Sequence, residues 1–213
     1  MRKVPSKTAS RTEATPGNRQ RSAEVVRRTK ETDIRVSLDL DGSGQARIDT
    51  GIPFLDHMLE SFSRHGFFDL DLTARGDLHV DQHHTVEDVG LALGRALREA
   101  LGDKRGIRRF GSATCPLDEA LVQAVVDLSG RPFLVYGLHI RAARVGNFDT
   151  ELVHDFMLAL ANEAAMNLHL LQVSGRNAHH IIEAAFKALA RALDEAKQLD
   201  PRVRGIPSTK GSL

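Results

Sequence analysis

Two copies of one short motif, 96 residues apart, constrain the fold of this 213-residue chain more than any other feature. The first copy reads DQHHTVED at residues 81–88, and the second reads NAHHIIEA at residues 177–184. Each copy begins a stretch whose apolar residues recur with the period of a helix. We therefore expect an internal duplication, in which two similar halves each contain one such helix.

The motif also predicts metal binding. In each copy the first histidine and the glutamate are four residues apart, and residues at that spacing share a helix face with Cβ atoms about 5–6 Å apart. The pairs that can each bind one metal ion are His83 with Glu87 and His179 with Glu183. The second histidine of each copy, His84 or His180, lies about 100° further round the helix and points to a different ion. A site with two metals, each bound by ligands from both halves, follows from this pattern.

The order of predicted elements repeats along the chain as well. The first half reads as strands at 34–40 and 45–50, a helix from 52 to 66, a strand at 67–74 and a helix at 83–101. The second half reads as strands at 108–115, 119–128 and 132–140, a helix at 150–166, a strand at 167–173 and a helix at 178–198. We predict an α+β fold with a duplicated strand-strand-helix-strand-helix unit, like ribosomal protein S5 domain 2-like or ferredoxin-like halves. The helices should pack between two sheets.

Charge is unevenly distributed, although the formal net charge is only +1. Residues 1–30 carry nine Lys/Arg against two Glu, and residues 1–22 contain almost no large apolar side chain. We expect residues 1–22 to form a disordered basic tail, followed by repeat halves at 23–104 and 105–200 and a substrate-binding strip at 201–213. Nucleic-acid binding by the tail is a weaker alternative, and we expect no nucleic-acid partner.

The composition also indicates the cellular compartment in which we expect the chain. No apolar run approaches the ~20 residues that a membrane span requires, so we expect no membrane association. The tail lacks the apolar core of a secretory signal. Cys115 is the one cysteine, which excludes an internal disulfide and fits a reducing cytoplasm.

Each metal needs more ligands than one helix supplies. In the first half the other helix offers His57, and the corresponding region of the second half offers His154 and Asp155. A set of basic and hydroxyl side chains of the kind that binds a phosphate monoester also lies near the motifs. Its members are Arg109, Arg131, Lys187, Ser208, Thr209 and Lys210.

Seven ordered motifs carry a family resemblance. They are RTKET at 28–32, GIPFLDHM at 51–58, HHTVED at 83–88, PLDEA at 116–120, SGRP at 129–132, HHIIEA at 179–184 and PSTKG at 207–211. Over about residues 27–213 the chain resembles the imidazoleglycerol-phosphate dehydratases, the dehydrating enzymes of histidine biosynthesis. The resemblance implies a duplicated α+β fold, self-association into a 24-subunit shell, and two Mn²⁺ ions in each active site between subunits.

The resemblance also implies ligand sets. One ion would be bound by His83, Glu87, His180 and a residue of the second-half helix, where Asp155 is favoured and His154 is the alternative. The other ion would be bound by His57, His84, His179 and Glu183. The family often has histidine where this chain has Asp155.

The implied reaction is the dehydration of imidazole glycerol phosphate to imidazole acetol phosphate and water, which makes the chain a hydro-lyase. Glu31 is the expected proton-transfer group, with a water at the metal as its alternative, and Asp118 is a weaker catalytic candidate. The expected substrate-binding residues are Glu31, His57, Arg109, Arg131, His179, Lys187, Ser208, Thr209 and Lys210.

Two other functions use similar residues. A dinuclear phosphate-ester hydrolase would release inorganic phosphate. A non-catalytic metal store would have no need for Glu31 or the phosphate-binding set.

Overall fold

A computed structural model describes residues 21–213, and each half of the chain forms a four-stranded sheet with two helices. The first half consists of β1 Ser22–Arg28, β2 Thr32–Asp39, β3 Ala46–Asp49, α1 Pro53–Gly66, β4 Asp69–Gly76 and α2 His83–Leu101. The second half consists of β5 Phe110–Leu117, β6 Ala120–Asp127, β7 Phe133–Gly137, β8 Arg144–Val145, β9 Phe148–Asp149, α3 Leu152–Glu163, β10 Asn167–Ser174 and α4 Ala178–Lys197.

The two sheets have the same topology. Their strand orders are β1-β2-β4-β3 and β5-β6-β10-β7. In each sheet the first two pairings are antiparallel, and the last strand pairs in parallel with its neighbour. This identity confirms the predicted duplication and the α+β class.

Each unit has one strand more in its four-stranded sheet than the predicted strand-strand-helix-strand-helix order, because three strands of that sheet precede its first helix. The second half also has the short β8–β9 hairpin before α3. In the first half β1 is the added strand, and it lies at the edge of its sheet. Only Val25 of this strand is buried, and its charged neighbours hide the apolar alternation that identifies a strand. The predicted tail, 1–22, lies outside the described residues except for its last two positions. Of these, Arg21 pairs with Asp41, and Ser22 begins β1.

The helices lie between the two sheets, as predicted. Helix α2 packs on β1 and β2, and α4 packs on β5 and β6. Across the middle, α2 contacts α3 and α1 contacts α4, so helices of one half pack against helices of the other. Glycines permit a close approach of α2 to α3: a Cβ added at Gly90 would lie 2.8 Å from the Phe156 carbonyl oxygen, and one added at Gly94 would lie 2.6 Å from that of Leu160.

The C-terminal segment runs beside the start of the second half. Gly106 donates its N–H to the Gly205 carbonyl, and the Arg109 guanidinium donates to the Pro207 carbonyl over 2.9 Å. The chain end reaches Gly130, where an added Cβ would lie 2.6 Å from the Leu213 carbonyl carbon. In the part of the chain that the structure describes, no helix is both long enough and apolar enough to cross a membrane.

Candidate metal centre

The two histidine pairs are placed by the first turns of α2 and α4. The Asn177 side chain caps α4 and accepts from the backbone N–H of His179 over 2.9 Å. At the equivalent position 96 residues earlier, the Asp81 carboxylate accepts from the N–H of His83 over 2.8 Å. In both pairs the adjacent imidazole planes are nearly perpendicular, at 80° and 81°. Neighbouring histidines therefore point to different places, as helix geometry predicts.

Three ligands converge where α1 meets α4, and we call His57, His179 and Glu183 the first cluster. The Nε2 atoms of His57 and His179 lie 3.2 and 3.1 Å from the same Glu183 oxygen, Oε2. One ligand atom from each of the three residues lies within 4.8 Å of the others. Two imidazoles and a carboxylate at this spacing fit a divalent ion of the manganese or zinc type.

Lys187 belongs to the surroundings of the first cluster. Its Nζ lies 2.6 Å from Oε1 of Glu183, and the two side chains are only 19% and 12% exposed. Burial raises the pKa of the Glu183 carboxyl, but the Lys187 ammonium and the bonds from His179 and His57 outweigh burial and hold that pKa at about 2. Glu183 is thus an anion at neutral pH, as a metal ligand must be. The cluster opens into a cleft of about 580 Å³.

The corresponding place in the other half contains His83, Glu87 and Asp155, which we call the second cluster. His83 lies 3.4 Å from Asp155 through Nδ1 and 3.9 Å from Glu87 through Nε2. The His83 and Glu87 side chains are about half exposed, at 45% and 48%. The donors fit a divalent ion in type, but they are less tightly gathered than those of the first cluster.

Burial along the helices shows which residue of α3 is equivalent to His57 of α1. Helix α1 buries Leu55, Met58, Leu59 and Phe62, and α3 buries Val153, Phe156, Met157 and Leu160 with the same spacing. This match places Asp155, and not His154, at the position of His57. The His154 ring instead lies edge-on against Tyr136, with centroids 5.1 Å apart.

His84 and His180 are not gathered into either cluster of their own chain. Nδ1 of His84 lies 3.0 Å from Oδ2 of Asp77, and Nδ1 of His180 lies 2.8 Å from Oε2 of Glu119. The Asp77 carboxylate raises the pKa of His84, and the Glu119 carboxylate raises that of His180. The hydrogen bond with His180, joined by backbone N–H groups, lowers the pKa of Glu119 to about 2.

The two catalytic candidates lie on equivalent turns. Glu31 is in the β1–β2 turn, with its Oε2 4.0 Å from Nδ1 of His84. Asp118 begins the β5–β6 turn with a left-handed φ of 46°, and its Oδ2 lies 3.7 Å from Nε2 of His180. Buried Asp88 fixes the first turn, because it accepts from Arg27 over 2.8 Å and from the Thr32 hydroxyl over 2.5 Å.

The predicted phosphate-binding residues fall into two groups. Lys187 lies at the first cluster, whereas Arg109 immediately precedes β5 and Arg131 lies in the turn before β7. The remaining members, Ser208, Thr209 and Lys210, lie in the C-terminal segment. Arg109 forms an ion pair with Asp127 and donates to both of its carboxylate oxygens, over 2.7 and 3.1 Å. Arg131 is exposed, and its guanidinium donates to the Ser129 carbonyl over 3.4 Å. Ser208 accepts from the Lys210 N–H over 3.2 Å, and both Thr209 and Lys210 are exposed.

Sequence reasoning did not identify the carboxylates beside His84 and His180. Glu119 stands within the PLDEA motif, where Asp118 was chosen instead, so the motif contained the signal. Asp77 lies in the loop after β4, and nothing in its spacing links it to His84. Only the path of that loop back to the start of α2 brings the two together.

The chain is similar to known proteins of one family. The sequence profile of the imidazoleglycerol-phosphate dehydratase family matches residues 50–193. The chain is 60% identical over 193 residues to the imidazoleglycerol-phosphate dehydratase of Bacillus subtilis, covering 91% of this chain and 100% of that one. It is 58% identical over 193 residues to that of Geobacillus kaustophilus, covering 91% and 99%.

Solved structures give the same result. The crystal structure of the Staphylococcus aureus imidazoleglycerol-phosphate dehydratase superposes with a TM-score of 0.77 at 37% identity, covering 84% of this chain and 99% of that one. The enzyme from Pyrococcus furiosus superposes with a TM-score of 0.77 at 42% identity, covering 89% and 100%. The chain belongs to the imidazoleglycerol-phosphate dehydratase family.

Proposed function

We propose that this hydro-lyase of histidine biosynthesis dehydrates imidazole glycerol phosphate with two Mn²⁺ ions bound at its histidine clusters. Family membership gives the reaction class, which removes water from a small phosphorylated imidazole. The observation that supports a dinuclear site is the pair of ligand clusters at equivalent positions of the duplicated fold. Each cluster combines two helices of different halves, as a site built on the duplication requires.

The ligand sets become complete only between subunits in this proposal. The first cluster would receive His84, and the second would receive His180, each from a neighbouring chain. Two facts support this division: neither histidine joins a cluster of its own chain, and each directs its Nδ1 to a carboxylate instead. Imidazole and carboxylate donors accept several borderline metals, and manganese is the ion that the family resemblance favours. Assembly of a 24-subunit shell would then depend on metal.

Different residues of the chain would have different roles in the reaction. When bound, the two ions supply Lewis acidity, which makes the imidazole N–H of the substrate more acidic. Glu31 would move the proton of the neighbouring carbon, since its carboxylate lies on the fixed β1–β2 turn beside His84. Asp118 would assist on the equivalent turn. The phosphate would be bound by Arg109, Arg131, Lys187, Ser208, Thr209 and Lys210.

Those cations would anchor the end of the substrate that does not react, so that the imidazole stays oriented at the ions. Lys187 has to exchange its contact with Glu183 for the phosphate, and binding of a divalent ion at Glu183 favours that exchange. The strip at 201–213 would contribute its hydroxyl and ammonium groups from one side. A cytoplasmic location fits the single cysteine, which is buried in this fold.

The first experiment tests the reaction and the metal together. Metal-free protein is reconstituted with Mn²⁺ and supplied with imidazole glycerol phosphate, and both the ketone product and free phosphate are measured. We expect ketone that depends on Mn²⁺, with no release of phosphate. Release of phosphate would favour the hydrolase alternative, and absence of both products from fully metallated protein would overturn the proposal.

A second experiment separates the enzyme from a metal store. Glu31→Gln should abolish turnover while the protein still binds two ions, because Glu31 is assigned to proton transfer and not to the metal. Glu24→Gln, on the exposed face of β1, is the matched control and should remain active. Unchanged activity of the Glu31→Gln variant would exclude this role for Glu31.

A third experiment tests the subunit boundary. Chelation should convert the shell to smaller oligomers, measured by light scattering with size-exclusion chromatography, and Mn²⁺ should restore it. An unchanged elution volume after complete removal of metal would contradict metal sites shared between subunits.

A further inference from the structure

Two carboxylates that belong to neither ligand cluster each bind one nitrogen of an outward-pointing histidine. Asp77 and Glu119 both contact Nδ1, at 3.0 and 2.8 Å, which leaves Nε2 of both rings without a hydrogen bond among the described residues. For His180 the Asp118 carboxylate is 3.7 Å from that Nε2, beyond hydrogen-bond distance. A neutral imidazole that donates its Nδ1–H to a carboxylate keeps a lone pair on Nε2. Such a pairing fixes the tautomer and the ring orientation of a histidine ligand.

We propose that Asp77 and Glu119 are positioning residues, which hold His84 and His180 with Nε2 directed at the ligand clusters of neighbouring subunits. The inference rests on the proposed dinuclear function and goes one step beyond its ligand sets. It assigns each carboxylate to a different ion: Asp77 acts on the ion of the first cluster through His84, and Glu119 acts on the ion of the second cluster through His180.

The surroundings of Glu119 make it a rigid support. Its Oε1 accepts from the backbone N–H groups of Arg176 and Asn177, over 3.1 and 2.8 Å, while Oε2 accepts from His180. Asn177 is also the residue that caps α4. The β5–β6 turn is therefore bonded to the helix start and to the ring of its second histidine at once.

Asp77 reaches the same ring nitrogen from another part of the fold. It follows β4 directly, where the second half has Gly175 after β10, so this carboxylate has no counterpart in the duplication. Its side chain is 16% exposed, and Oδ1 is buried without a hydrogen-bond partner among the described residues. Two carboxylates from non-equivalent positions of the two halves thus make the same kind of contact, each with Nδ1 of the second histidine of its own half. This convergence indicates that the contact itself is what the site requires.

The test measures Mn²⁺ binding to metal-free protein by titration calorimetry, site by site. Asp77→Ala should weaken one of two ions by about 10–100-fold and leave the other unchanged, and Glu119→Ala should do the reverse. Asp71→Ala, which removes a carboxylate paired with Arg47 on the exposed face of the first sheet, is the control and should bind both ions normally. Asp77→Asn keeps a neutral acceptor and should recover part of the lost affinity.

A double-variant cycle separates positioning from a general loss of structure. In a His84→Ala background, Asp77→Ala should cause no further loss of Mn²⁺ affinity, because the ring that it positions is absent. The same holds for Glu119→Ala in a His180→Ala background. An equal loss with and without the histidine would overturn the proposal, as would affinities within about twofold of the parent.

Failure of the proposed function can be distinguished from failure of the positioning role. A parent protein that does not bind two ions per chain would remove the proposed function together with this inference. A parent that binds two ions and dehydrates its substrate, with both carboxylate variants indistinguishable from it, would remove only the positioning role.

Discussion

The two ligand clusters occupy equivalent places in the duplicated fold, yet they differ in packing and in one ligand type. In the first cluster two imidazoles meet a carboxylate oxygen at 3.1 and 3.2 Å, and Glu183 is 12% exposed. In the second cluster the distances are 3.4 and 3.9 Å, and Glu87 is 48% exposed. Where the first cluster has His57, the second has Asp155. The two halves therefore place the candidate ligands at equivalent backbone positions. They differ in the type of one side chain and in how exposed the side chains are to solvent.

The helices that carry the clusters show a related difference. Helix α2 has glycines at 90 and 94, where α4, 96 residues later, has Phe186 and Ala190. The glycines let α2 approach α3 closely, whereas Phe186 of α4 is a buried aromatic side chain that stacks on Phe156 of α3 with centroids 5.3 Å apart. The two halves therefore reach the same topology with different helix packing.

The largest effect should come from removing the glutamate carboxylate of each cluster. Glu183→Gln should weaken one Mn²⁺ ion by more than about 100-fold, since even residues behind a metal ligand contribute about 10–100-fold. It should also destabilise the metal-free protein by about 1–3 kcal/mol, because the shielded Lys187 ammonium loses its partner. Glu87→Gln should lose the other ion without that cost. Metal titration and urea unfolding measure the two quantities.

The stability of the metal-free variants in urea tests whether the two clusters differ energetically. Equal stabilities of metal-free Glu183→Gln and Glu87→Gln would show that the shielding of the first cluster has no energetic consequence. Lys187→Met provides the matched control for Glu183→Gln, since it removes the ammonium and leaves the carboxylate ligand in place.

The next effect should come from the spacing of α2 and α3. A Cβ at Gly94 would lie 2.6 Å from the Leu160 carbonyl oxygen and 2.9 Å from Cβ of Glu163. We expect Gly94→Ala to cost about 1–3 kcal/mol in urea unfolding of the metal-free protein, because backbone has to move. Ala190→Gly at the equivalent position of α4 should cost more than the ~1 kcal/mol of helix propensity, because it also removes a fully buried methyl group. A Gly94→Ala variant that is more stable than the parent would show that the interface yields freely.

Much of this architecture could be predicted from the sequence, since the repeated motif fixes the duplication and the helix starts. Strand β1 could not, because an edge strand with one buried residue, Val25, has no clear alternation. The candidate ligands could be chosen from helix geometry, but helix geometry did not predict how they divide between the two clusters. That division depends on how α1 meets α4 and how α3 meets α2, and such contacts between distant segments leave no local signal.

Supporting carboxylates show the same limit. The sequence predicts Arg109 as a phosphate ligand, and in the folded chain it pairs with Asp127, so phosphate binding there would require that ion pair to rearrange. Asp77 and Glu119 act on histidines that lie in other elements, and only the folded chain brings them into contact.

A smaller effect should distinguish the two candidates for the second-half ligand. Asp155→Ala should weaken the ion of the second cluster by about 10–100-fold, whereas His154→Ala should change it by less than about twofold. The reason is that Asp155 faces His83 at 3.4 Å, and the His154 ring lies against Tyr136. Asp155→His would make the second cluster resemble the first and should retain the ion. Loss of the ion in His154→Ala, with Asp155→Ala intact, would reverse the assignment.

The smallest effect concerns pH and applies to the histidines outside the clusters. The carboxylates of Asp77 and Glu119 raise the pKa of His84 and His180 above the usual 6.5. The stability that these pairs contribute is therefore complete below pH 6.5 and is lost as the pH rises through the raised values. We expect a small decrease in the melting temperature of the metal-free protein between pH 6 and pH 8, since both pairs face solvent.

Metal binding should respond to pH in the opposite direction. A proton on either histidine competes with Mn²⁺, so the affinity for the ion should rise over the same interval in which the metal-free protein loses stability. Both trends should diminish in a variant that combines Asp77→Asn with Glu119→Gln, because each carboxylate is replaced by a neutral acceptor. Thermal unfolding without metal and calorimetry with Mn²⁺ measure the two trends. A melting temperature that rises from pH 6 to pH 8 in the parent, and equally in the variant, would show that other groups dominate and that these pairs are not charged in the free protein.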